Sequence, residues 1–122
     1  MIDTTERTPV IKEFSKCTRH LLPVMDTMEL LSGRWKLVII MALWFGGKMR
    51  FNAIRSHIPK ITGKVLSKEL KYLETHKILT RTVHDTAPIT VEYALTTYGK
   101  TLKPVIFALK DWGTQHRSNM MG

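Results

Sequence analysis

Lys64, Lys68 and Lys71 recur at intervals of four and three residues, which sets three ammonium groups on one side of any helix that contains them. Ser67 stands among them, and Thr62 and Gly63 come just before. Ammonium groups neutralise phosphates or reach guanine acceptor edges, and the two hydroxyls can bond phosphates or bases. Gly63, near a helix start, allows close backbone approach where the first free amides and the positive dipole end favour a phosphate. Upstream, Arg50 and Asn52 are placed to grip a phosphate backbone. Downstream, Arg81, Thr82 and His84 can reach an adjacent minor groove or its phosphates. Taken singly, such a lysine is a solvated helix face. The group argues for more, because a charge surplus and two structural patterns coincide with it.

The surplus is local. The 122 residues hold 19 Lys and Arg against 10 Asp and Glu, a net +9. Positions 46–84 carry nine of the basic residues and two of the acidic ones, and so +7 of that total. Concentration of this kind is the footprint of a nucleic-acid surface. With 43% hydrophobic and 24% charged residues, the composition is that of one globular domain rather than a disordered chain. The longest apolar run, Leu37 to Phe45, is too short to span a membrane. Asp3 and Glu6 lie where a signal segment would be apolar, so a cytoplasmic protein is expected, with no membrane partner. Cys17 is the one cysteine, and His57, His76 and His84 are scattered, so neither an internal disulfide nor a metal or other cofactor is expected. The carboxylates are few and spread, and no Gly-rich phosphate loop exists, which argues against an enzyme.

The elements that must position these residues follow from periodicity. Val10, Phe14, Cys17 and Leu21 predict a helix to about Leu22, and Pro23 can begin a second one over Val24 to Leu31. Ser32 is a candidate N-cap for a helix from Trp35 to Phe45 that is apolar nearly all round and therefore expected to be central and enclosed. Phe51, Ile54 and Ile58 predict about two turns stopped by Pro59. Thr62 then caps a helix to about Lys77, with Leu66, Leu70 and Leu73 inward and Lys64, Ser67, Lys68, Lys71 and Thr75 outward. Leu79 to His84 and Ile89 to Leu95 alternate with period two around a turn at Asp85 to Pro88. A closing helix runs from about Thr97 to His116, with Pro104 as a kink or as the start of its regular part. The fold class is mainly α with a small β-hairpin: a winged helix-turn-helix.

The chain resembles the HxlR-type transcriptional regulators, a winged-helix family related to MarR-like repressors. The resemblance rests on Gly33-Arg34-Trp35-Lys36, on Arg50-Phe51-Asn52 with Ile54, and on Ile58-Pro59-Lys60-Ile61-Thr62. It continues through the leucine series, Arg81, Val91-Glu92-Tyr93-Ala94-Leu95-Thr96, Gly99 and Trp112-Gly113. Lys60 and His76-Lys77 stand where the family commonly has glycine, and Cys17 is followed by Thr18 rather than proline.

The resemblance implies a homodimer joined through terminal helices, about residues 10–31 and 97–117, flanking a winged core at 34–95 within one domain, 1–122. Apolar stripes at both ends (Val10, Phe14, Leu21; Val105, Leu109, Trp112) agree with it. Such a dimer would set two recognition helices about 34 Å apart on palindromic double-stranded DNA. Cys17, flanked by Lys16, Arg19 and His20, is a candidate redox sensor; the plainer reading is a buried small hydrophobe on the Val10, Phe14 and Leu21 stripe. Trp35, Trp44, Phe51, Phe107 and Trp112 read as core or subunit contacts. The alternative to a sequence-specific regulator is a winged module for RNA or for non-specific architectural DNA binding.

Overall fold

The leucines at 66, 70 and 73 do what their spacing requires: each is at most 1% exposed, on the inward side of a helix over Gly63–Thr75. The computed structural model describes residues 4–122, with side chains from Lys16 onward. In chain order the elements are α1 (Thr4–Leu30), α2 (Lys36–Gly46), β1 (Met49–Arg50), α3 (Phe51–His57), α4 (Gly63–Thr75), β2 (Leu79–His84), β3 (Thr90–Leu95), α5 (Thr97–Lys100) and α6 (Lys103–Met121). The chain divides into two compact units, residues up to Gly33 and Arg34–Gly122.

In the first unit the expected break at Pro23 does not occur, and one helix runs through it. Proline deprives the Arg19 carbonyl of its helical partner. Residues 16–29 are all exposed, so water can take that bond, and Thr27 Oγ1 donates to the Pro23 carbonyl at 2.8 Å. Cys17 is exposed as well, which corrects its reading as a buried hydrophobe. Of its stripe, Leu21 is 49% exposed, and the side chains of Val10 and Phe14 lie outside the described residues.

The second unit gathers its core from every helix and strand it contains except α5. Ile39, Ile40 and Leu43 of α2, Ile54 of α3, the α4 leucines, and Ile78, Leu79, Leu95 and Ile106 are all buried. Helix α2 begins after Trp35, not Ser32, and no side chain caps it. It is not enclosed all round: α3, α4 and β3 cover one side, while Val38 and Phe45 remain exposed. The turn between α3 and α4 follows the proline rule, with Ile58 extended (φ −116°, ψ 105°) before Pro59. Lys60 then adopts φ 68°, and Lys77, after α4, φ 64°. Both are left-handed conformations that favour glycine.

A three-stranded antiparallel sheet, ordered β1-β3-β2, forms the wing. Its register pairs Met49 and Arg50 with Tyr93 and Glu92, and Leu79 to His84 with Leu95 to Thr90. Strand β1 is absent from the sequence expectation, because two residues carry no period. The closing helix is interrupted after Lys100, and Pro104 lies in the first turn of α6. At the junction, Thr96 Oγ1 accepts from Gly99 N (2.8 Å) and donates to the Lys77 carbonyl (2.6 Å). A Cβ on Gly99 would lie 2.0 Å from the Ile78 carbonyl oxygen, so this close approach requires glycine.

Candidate nucleic-acid interface

Helix α4 is anchored before it is charged. Thr62, extended at the N-cap, accepts a hydrogen bond from Val65 N at 3.2 Å, which satisfies one of the free amides of the first turn. Its hydroxyl hydrogen remains available to a further acceptor. The leucines hold one face inside, and Lys64, Ser67, Lys68, Lys71 and Thr75 are all exposed on the other. Among the described residues, no carboxylate pairs with Lys64, Lys68 or Lys71.

Glu69 is the reason that face is so clean. It is buried, and its carboxylate accepts from Lys36 Nζ at 3.1 and 3.2 Å. Lys36 also lies over the Tyr72 ring, 4.4 Å from its centroid. The lysine of the Gly-Arg-Trp-Lys segment thus ties α2 to α4 and withdraws a negative charge from among the outward cations. Burying two charges is costly, and the two-oxygen contact and the aromatic face offset that cost.

Arg55, absent from the expected contacts, is brought to the same end of α4. Its Nη1 lies 3.4 Å from where a Cβ of Gly63 would be, an ordinary van der Waals distance, which places the guanidinium beside the helix start. The two are eight positions apart and meet only because the α3–α4 turn folds back.

The remaining candidates divide between two faces of the wing. Successive strand residues alternate, so Arg81, paired with Tyr93, faces α4, where Ser67, Lys71, Glu74, Arg81 and Tyr93 line a hollow of about 240 Å³. Thr82 lies on the opposite face with Arg50 and Glu92. His84 is on that face too, and its Nε2 meets the Glu92 carboxylate, so the imidazole is already engaged on one nitrogen. Arg50 and Asn52 adjoin the wing tip instead, where they line a hollow with Pro88, Ile89 and Thr90. All eleven expected residues are exposed except Gly63 and His84, which are half-buried. The structure gathers Thr62, Gly63, Lys64, Ser67, Lys68, Lys71 and Arg81 on and beside α4, and sets Arg50, Thr82 and His84 on the opposite face of the wing, with Asn52 of α3 near the wing tip.

Comparison with known proteins bears on this arrangement. A family model described as an HxlR-like helix-turn-helix matches residues 30–121. An uncharacterized HTH-type transcriptional regulator of Bacillus subtilis, YdeP, is 40% identical over 98 residues, which cover 80% of this chain and 76% of the relative. Among solved structures, the redox regulator HypR in its reduced form superposes with a TM-score of 0.75 at 36% identity, over 81% of this chain and 97% of the other. The reduced form of the transcriptional regulator YodB of B. subtilis gives 0.68 at 36% identity, over 75% and 88%.

Proposed function

Because the chain belongs to the HxlR family of helix-turn-helix transcriptional regulators, we propose that it acts in the cytoplasm as a homodimer on a palindromic operator, with α4 in the major groove. The observation that carries this reading is the exposed, unpaired row Lys64, Lys68 and Lys71, backed by buried leucines. In that orientation the three lysines and Ser67 face base edges and phosphates. Thr62, Gly63 and Arg55 receive a phosphate at the helix start, and Arg81 reaches the flanking backbone. Arg50, Asn52, Thr82 and His84 serve the far side of the wing, where a neighbouring minor groove would lie. The winged core at 34–95 reads the DNA, and the helices at about 10–31 and 97–117 join two copies.

Selection of bound duplexes from a random pool tests this at fixed salt. A palindrome with half-sites about one helical turn apart and a specificity ratio of roughly 10³ or more is expected. Retention of unrelated duplexes or RNA with equal affinity would establish the architectural alternative instead.

Cys17 supports a finer proposal. HypR is described as a redox regulator in reduced and oxidised forms, and this chain's one thiol is exposed on α1. With a single cysteine, a disulfide can form only with another molecule. Cys17 is expected to react with a thiol reagent in the intact protein; no reaction under native conditions removes the sensing role.

A further inference from the structure

The hollow between α4 and the wing brings together groups that a row of lysines alone does not have. It measures about 240 Å³, below the ~300–1,000 Å³ of sites for drug-sized ligands, so it suits a small ion or metabolite. Two cations line it, Lys71 and Arg81, with two hydroxyls, Ser67 and Tyr93, and one carboxylate, Glu74. All are exposed except Tyr93, which is half-buried and pairs with Arg81 in the sheet register. Among the described residues, no hydrogen bond or ion pair engages any of these five side chains, and Glu74 pairs with neither cation.

A guanidinium beside two hydroxyl donors makes a seat for a phosphoryl group, since arginine keeps its charge and presents a planar fork to the oxygens. Lys71 adds a nucleophile at that seat. Glu74 adds a proton acceptor, three positions along the helix and so a neighbour of Lys71 on its surface. Lys64 and Lys68 lack both features. No carboxylate stands three or four positions from either, and neither lines the hollow. Glu69, the other carboxylate of α4, is held by Lys36.

We propose that Lys71 is a modification site, acylated by a small acyl phosphate whose phosphoryl group rests against Arg81, Ser67 and Tyr93. The Lys71 nitrogen bonds to the acyl carbon, the bond from that carbon to the bridging oxygen breaks, and phosphate leaves with the electron pair. The ammonium gives one proton to water on becoming an amine. A second passes through Glu74 to the departing group, which leaves as hydrogen phosphate. The product is a neutral amide in place of one outward cation of α4. Its effect on DNA rests on the role proposed above. The acylation does not, and it is tested with no DNA present.

The test incubates the full chain with acetyl phosphate and, separately, with N-acetoxysuccinimide, which carries no phosphoryl group, and follows initial rates at each lysine by peptide mass spectrometry. With acetyl phosphate, Lys71 is expected to react about ten-fold faster than Lys64 or Lys68, a modest factor because the seat is open and its charges are screened. With N-acetoxysuccinimide the preference should be smaller. Arg81→Gln should reduce the first ratio to the second, and Glu74→Gln should lower both. The proposal is overturned by equal rates at the three lysines with acetyl phosphate, by the same ratio with the two reagents, or by a ratio that survives Arg81→Gln or Glu74→Gln.

Discussion

Helices α4 and α6 are both surface helices with apolar stripes, and the unit around them treats the two stripes oppositely. On α4, Leu66, Leu70 and Leu73 are wholly covered, and Lys64, Lys68 and Lys71 face outward, with Glu74 near the helix end. On α6, Ile106 is buried, while Val105, Leu109 and Trp112 are 37%, 51% and 66% exposed, with Trp112 stacked on His116 of its own helix. The fold consumes one stripe and leaves the other. An apolar face the chain does not cover is what a joining surface requires, whereas an uncovered cationic face is what a polyanion requires. The difference separates a candidate reading helix from a candidate pairing helix within one small chain.

The largest expected effect comes from the inside of α4. Lys36→Met strands a buried carboxylate at Glu69, and urea unfolding should show a loss of about 3–5 kcal/mol. Lys36→Met with Glu69→Leu should recover most of it, and a double variant as weak as the single would sink this account of the pair. Leu70→Ala should cost about 3 kcal/mol in the same assay, against under about 1 kcal/mol for Leu109→Ala below the dimerisation range. Equal losses would erase the contrast between the helices.

Replacing Leu109 and Trp112 with serine should weaken self-association by about tenfold or more in sedimentation velocity, some 1.4 kcal/mol. The oligomeric state should not change when Lys68 or Lys71 is replaced. Lys68→Ala and Lys71→Ala should weaken DNA binding instead, and each phosphate contact removed should lower the slope of log affinity against log salt by about one. Unchanged affinity and slope in both variants would contradict this orientation of α4. Smallest is Lys77→Gly, which relieves a left-handed lysine at the end of α4 and should raise stability by about 0.5 kcal/mol in thermal unfolding.

Much of this molecule is legible locally. The Thr62 cap, the leucine interval on α4, the proline stop after Ile58 and the two strands β2 and β3 each depend on neighbours close in the chain, and each stands in the structure close to its expected limits. At Lys60 and Lys77 the backbone is left-handed, the conformation that suits the glycines which the resemblance implies at Lys60 and at His76-Lys77. The residues that escaped local reading share a different cause. Strand β1 exists only because β3 runs beside it. Glu69 sits among lysines in sequence and beneath them in space, because its partner is 33 positions away. Arg55 meets Gly63 only across the folded turn.

The amino-acid order by itself therefore determined the helical period and the Thr62 cap of α4 and the sign of the charge it turns outward, since these are set by rotation per residue and by side-chain chemistry. Tertiary structure alone decided which charges remain unpaired, how the wing divides the basic residues between its two faces, and which apolar stripe is left uncovered. Those outcomes depend on contacts between segments far apart in the chain, and only the folded arrangement brings such segments within reach of one another.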